Sequence, residues 1–140
     1  MKKVVLIFVL IFLTLTACNT TDSNMIALEE VLSAFEKHKL PLKEVKVSND
    51  DIFGMKLNGI RPFSYELGGK LLLIFIYDST KKREEGLNDF RNKTATLNIV
   101  SYNYYEAKNA LLFYVHGLDL SKEVEFDNKI HKIVGELDKE

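Results

Sequence analysis

Cysteine occurs once in this 140-residue chain, tryptophan not at all and proline only twice. A single thiol excludes an intramolecular disulfide, so the core alone must hold the fold. It also excludes a zinc site built on several cysteines. The three histidines, His38, His116 and His131, lie far apart and lack H-x-x-x-H or H-E-x-x-H spacing. No charge of one sign dominates: 19 Lys and Arg stand against 20 Asp and Glu, a formal net charge of -1. That balance leaves no electrostatic footprint for a nucleic-acid partner. Long apolar runs are missing too. The longest starts at Val4 and lasts about a dozen residues, against the roughly 20 that a membrane-spanning helix needs.

Catalytic signatures are equally sparse. G-x-S-x-G is absent, and Gly54 and Gly59 are separated by MKLN with no lysine–serine pair to complete a phosphate loop. Asn49, Asp50 and Asp51 do not follow the spacing of a calcium-binding loop. Ser101, His116 and Asp119 supply the residue types of a hydrolytic triad, but a chain of this length offers such triples by composition alone. The chain is therefore not expected to be an enzyme, and no catalytic residue, cofactor site or metal site is assigned.

What is present begins at the N-terminus. Lys2 and Lys3 precede the unbroken apolar stretch Val4–Leu13, which has the length and flank of a signal-peptide core. The stretch ends at Leu15, Thr16, Ala17 and Cys18. This L-T-A-C resembles the lipobox of bacterial lipoproteins: aliphatic, small or polar, small, cysteine. The resemblance covers about the first 18 residues. It implies cleavage between Ala17 and Cys18 and a diacylglyceryl group on the Cys18 thiol. Two acyl chains anchor stably where one holds only marginally. The implied address is the extracytoplasmic face of a cell membrane, with the membrane itself a partner through the lipid on Cys18. Richness in Lys, Asn, Ile and Phe without Trp gives the rest a similarity to the small lipoproteins of bacilli. A Gram-negative source would instead favour the outer membrane.

The organisation expected is thus a signal peptide over 1–17, a polar tether over 18–24 (NTTDSN follows the cysteine) and one domain over 25–140. Removing residues 1–17 leaves about 120, carrying a net charge of about -3. A domain of that size buries roughly two thirds of its unfolded surface.

Periodicity then places the elements. Leu28, Val31, Leu32 and Phe35 form a helical stripe within Met25–Lys39, with Ser23 or Asn24 as N-cap and Pro41 as the stop. LKEVKV at 42–47 reads as a short strand. Residues 52–63 read as an ordered loop packed through Ile52, Phe53, Met55 and Leu57. Gly68-Gly69 between 64–67 and 70–77 reads as a tight hairpin turn. LLLIFIY is apolar on both faces, so it should be a central strand, covered on each face or by helices on one. Asp78 or Ser79 should cap a helix running to about Asn92 that buries Leu87 and Phe90 beside Arg83 and Gly86. TATLNIVSYN at 94–103 reads as a strand, YEAKN as a turn and ALLFYV at 110–115 as a buried strand. Asp127 should cap a last helix burying Ile130, Ile133, Val134 and Leu137. The fold class expected is α+β: a largely antiparallel sheet of four to five strands, with about three helices mainly on one side.

Tyrosines are concentrated near the two hairpins. Tyr102, Tyr104 and Tyr105 adjoin the second, and Tyr65, beside Phe63, enters the first. If both turns share one end of the sheet, these tyrosines form an amphipathic binding patch, with Arg61 and Lys108 as a charged rim. The function expected is a membrane-anchored binding or accessory module for a protein or a cell-envelope component. The alternative is a structural or inhibitory partner of an envelope enzyme. Sequence fixes neither the ligand nor the oligomeric state.

Overall fold

Gly68 and Gly69 turn the chain at φ values of 58° and 75°, a left-handed pair that side chains resist. The turn joins β2 (Phe63–Leu67) to β3 (Lys70–Ile76) in an antiparallel hairpin. In the computed structural model, which describes residues 25–119 and 121–139, this hairpin is the middle of the domain. The elements in chain order are α1 (Leu28–Lys37), β1 (Lys43–Glu44), β2, β3, α2 (Thr80–Thr94), β4 (Tyr102–Ala107), β5 (Ala110–Val115) and α3 (Asp127–Leu137). They form one α+β domain with a five-stranded antiparallel sheet in the order β1-β2-β3-β5-β4. Strands β3 and β4 run parallel with β5 between them, and α2 makes the crossover.

Strand β3 explains why the sheet is covered twice. Alternate residues of a strand point to opposite faces. Leu72 and Ile74 join Leu112 and Tyr114 beneath α1 and α3, whose Val31, Phe35, Ile130, Ile133 and Val134 complete that core. Leu73 and Phe75, with Leu111 and Phe113, face Leu87 and Phe90 of α2 and the loop residues Phe53 and Leu57. Two helices therefore lie on one face, and the third helix with the 52–60 loop closes the other. A strand buried on both faces needs apolar residues at every position, which LLLIFIY supplies.

Helix ends follow local chemistry. Ser79 caps α2, its hydroxyl accepting from the Lys82 amide at 3.1 Å. At the start of α1, Ala27 holds the cap position, and its own amide donates to the Glu30 carboxylate at 2.6 Å. The caps expected from Ser23 or Asn24 lie outside the described residues, as do Ala17, Cys18 and the 18–24 tether. Helix α1 ends before Pro41 acts. Lys39 adopts φ 57°, its amide donates to Glu36 O, and the Leu40 amide donates to Phe35 O at 3.0 Å. That is a Schellman stop with lysine in place of the usual glycine.

Several boundaries differ from the periodicity reading. The 42–47 strand is only the two residues of β1. Helix α2 runs on to Thr94, and the next strand starts at Tyr102, not 94. Strand β5 is matched residue for residue by Tyr102–Ala107 on one side and by β3 on the other. Residues 95–101 are left with no strand to pair, and Leu97 and Val100 stay exposed. The turn is accordingly Lys108-Asn109, and most of YEAKN is strand. Asp127 is the first residue of α3, with Phe126 at the cap position.

Candidate functional site

The four tyrosines do not converge. Because β3 and β5 are antiparallel, the Gly68-Gly69 turn and the Lys108-Asn109 turn lie at opposite ends of the sheet. Strands β2 and β4 are also separated by β3 and β5. Within β4, alternation divides the tyrosines again. Tyr102 packs into the α2 core, with ring centroids 5.3 Å from Phe90, 5.7 Å from Phe113 and 5.9 Å from Phe53. Tyr104, on the same face, is 40% exposed; Arg91 donates to its hydroxyl at 3.2 Å and lies over its ring. Tyr105 turns to the other face and is buried. Arg61 is held by the Asn49 side chain. The Lys108 amide donates to Asp138 at the far turn, so these two do not rim a common patch.

Tyr105 belongs instead to a polar clamp. Its hydroxyl donates to Asp127 Oδ1 at 2.6 Å, and Asn103 Nδ2 donates to the same oxygen at 2.7 Å. His131 Nε2 stands 3.7 Å away on the next turn of α3. Burial alone would raise the Asp127 pKa; the hydrogen bonds from Tyr105 and Asn103 and the nearby histidines outweigh it and hold the carboxyl below its ordinary range. The same burial, with the acceptor role of Asp127, pushes the Tyr105 phenol far up. A carboxylate kept ionised facing a phenol kept neutral is a static pair. It fastens the first turn of α3 to β4, where a negative side chain also suits the helix dipole.

The Ser101, His116 and Asp119 set is joined by backbone instead of in relay. The amides of His116 and Gly117 both donate to Ser101 O. His116 Nδ1 accepts from the Leu118 amide at 3.1 Å, and Asp119 Oδ1 accepts from the Ser121 amide at 2.9 Å. Burial lowers the His116 pKa despite the opposing field of Asp127. Among the described residues no group of three or more His, Cys, Asp or Glu side chains could hold a metal ion. Among them, too, no helix is long and apolar enough to cross a membrane.

Tyr65 borders two surface grooves. It is half-buried on β2, opposite Glu44 of the two-residue edge strand β1. One groove of about 290 Å³ runs between it and Leu32, Glu36, Leu40, Pro41 and Leu42. A second, of about 280 Å³, lies along Val45, Lys46, Val47, Pro62 and Phe63 and has Tyr65 as its shared wall. Phe63, at 46% exposure, stands in that second groove. Burial, then the fields of Glu44 and Glu29, raise the Tyr65 pKa, so the hydroxyl stays a neutral donor and acceptor. The first groove is mainly apolar, while the second sets Glu44, Lys46 and Ser64 beside Phe63, so the pair suits an amphipathic ligand. Strand β1 is short, and the SNDD turn cluster that follows closely at 48–51 is its sequence signal.

One further polar residue was not signalled by any motif. Asn109 is fully buried in the β4–β5 turn. Its Oδ1 accepts from the Ile26 amide at 2.5 Å, and its Nδ2 donates to Ile26 O at 3.0 Å and to Tyr77 O at 2.7 Å. The Asn109 side chain thus pins the residue that leads into α1 against the end of the sheet, 83 positions away in sequence. Comparison with protein-family models, with curated proteins and with solved structures gives no match for this chain.

Proposed function

We propose that the protein is a lipid-anchored extracytoplasmic binding module, held to the membrane through Cys18 and engaging a protein or envelope component along the Tyr65 edge. The observation that carries the reading is the junction between address and domain. LTAC ends eight positions before Ile26, whose backbone amide and carbonyl are both fixed by Asn109. A lipid on Cys18 would therefore lead almost directly into folded protein and would supply membrane affinity that a balanced surface charge does not. Tyr65 and the two grooves it divides supply the recognition surface: an amphipathic ring, half-buried and held by a sheet.

Two measurements test the two halves separately. Cys18→Ser should abolish incorporation of labelled fatty acid and leave unprocessed precursor; a variant still cut and membrane-retained as before refutes the anchor. For the recognition surface, the anchored protein crosslinked in intact cells should give one stoichiometric adduct. Because the Tyr65 ring packs on the core beneath α1 and α3, Tyr65→Ser should lower the unfolding midpoint as well as abolish that adduct. The adduct is therefore scored at a temperature where both proteins are folded. An adduct indifferent to Tyr65 but lost with Tyr104→Ser would move recognition to the opposite edge of the sheet.

A further inference from the structure

The Asn109 contacts determine which way the domain stands. Ile26 is bound at the end of the sheet that carries Tyr77, the Lys108-Asn109 turn and the first turn of α2. The C-terminus of α3 reaches the same end, where Asp138 Oδ1 accepts from the Lys108 amide at 3.0 Å. The Gly68-Gly69 turn and the His116–Leu118 segment lie at the other end. From the seven residues of β3, the two ends are separated by about 23 Å.

Chain length then sets the orientation. Eight peptide steps between Cys18 and Ile26 span at most about 29 Å. To bring the Gly68-Gly69 end down to a bilayer, Ile26 would have to stand at least the sheet length above it. The chain would then be drawn to roughly four-fifths of its limit, at a cost in conformational entropy. With the Asn109 end down there is no such demand. Met25, exposed beside the clasp, offers an apolar side chain on that side.

Resting on the Cys18 anchor proposed above, we infer that the Asn109 end of the sheet is the bilayer-facing surface of this domain, and that the Gly68-Gly69 end is presented outward. The partner of the Asn109 end is the lipid headgroup layer. The Tyr65 edge stands sideways to the membrane, open to a partner approaching along it.

The test uses full-length protein processed in a lipoprotein-exporting host and reconstituted in phosphatidylcholine vesicles carrying headgroup nitroxide. Cys18 is consumed by its lipid, so a single added cysteine can be labelled with a fluorophore. Lys81→Cys and Lys139→Cys mark the Asn109 end, and Lys70→Cys marks the other; all three positions are exposed. The expected result is quenching at 81 and 139 with loss of quenching at 70. Inserting about ten Gly/Ser residues after Asn19 adds roughly 35 Å of reach and should level the three labels. Flotation with the vesicles but equal or reversed quenching before the insertion overturns the orientation alone. A difference that survives the insertion overturns the short connection as its cause. Failure to float at all removes the anchor, and the inference with it.

Discussion

Replacing Asn109 by alanine should cost more than any surface change in this protein. The side chain is fully buried and makes three hydrogen bonds, to Ile26 N, Ile26 O and Tyr77 O. Truncation removes all three and leaves their partners orphaned. A buried group left unsatisfied costs about 1–3 kcal/mol. Ile26 leads the first helix and can turn outward to water, which spares its two groups but gives up its own buried side chain. Tyr77 O, buried just past the end of β3, has no such escape. The expected loss is about 2–4 kcal/mol, a large part of a typical 5–15 kcal/mol. The assay is urea unfolding of residues 19–140 followed by circular dichroism, with the slope of the transition compared between variants. Hydrogen exchange should in addition show Ile26 losing protection before the sheet does. Asn109→Asp is the sharper control. Aspartate still accepts from Ile26 N but sets a carboxylate against two carbonyls, so it should fall below the alanine variant at pH 7. A loss under about 0.5 kcal/mol for alanine, or an aspartate variant more stable than alanine, refutes the clasp.

Three further outcomes are expected. Gly86→Ala should destabilise although alanine is the better helix former: its Cβ would meet the buried Tyr77 hydroxyl at 2.1 Å, so overpacking of about 1–3 kcal/mol opposes a gain of about 1, as read from thermal midpoints. Gly68→Ala should cost more than Gly69→Ala, because both sit at positive φ but only at Gly68 does the new Cβ strike Phe126, 2.2 Å away; equal urea midpoints would show that the 121–126 segment does not press on the turn. Acid should weaken the fold in two stages. His116 has a folded pKa below its ordinary 6.5, so its contribution is complete above that value and declines as pH falls through the folded pKa. Asp127 is held below its ordinary 3.8, and its contribution fades at still lower pH. Urea midpoints against pH should show both stages, and Asp127→Asn should shrink the lower one, to which Asp89 and Glu136, also held below their ordinary values, contribute.

The sequence makes the sheet's centre legible because there the signals agree. LLLIFIY has no polar position, so both faces must be covered, and Gly-Gly allows only a tight turn before it. The helix faces of α2 and α3 were equally plain, since Leu87, Phe90, Ile130, Ile133, Val134 and Leu137 recur at helical spacing and are all buried. What sequence could not show depends on partners remote in the chain. Residues 94–101 carry β-prone side chains yet form no strand, because the edges of β5 are already taken by β3 and by 102–107. Lys39 ends α1 through a left-handed turn in which lysine gives no warning of a stop. The tyrosine cluster dissolved for a topological reason: adjacency in sequence places Tyr104 and Tyr105 on opposite faces, and the antiparallel β3–β5 pairing sends the two hairpin turns to opposite ends. Asn109 reads as a solvated turn residue until Ile26 is seen against it.

A sheet covered on both faces leaves its edges, its ends and the outer seams between helices for other molecules. One such seam, of about 320 Å³, lies between α1 and α3 along Glu30, Lys37 and Glu136. The sides of β3 and β5 are sealed by three helices and a loop, so no ligand can reach the centre without displacing core residues such as Phe75 or Phe113. One end is occupied by the clasp that receives the chain from the proposed anchor. The β4 edge presents Tyr104, already engaged with Arg91, beside the 95–101 segment, which forms no strand. The β1 edge differs: its strand is two residues long, with one further bond from the Val45 amide to Ser64 O, and the grooves around Tyr65 lie beside it. Lengthening β1 would fill them. If recognition runs along Tyr65, the brevity of β1 is therefore part of the site: substitutions at 45–47 that extend strand pairing to β2 should stabilise the domain and weaken binding together. A stabilised variant that still bound its partner in full would move recognition to the outward end, at Gly68 and Gly117.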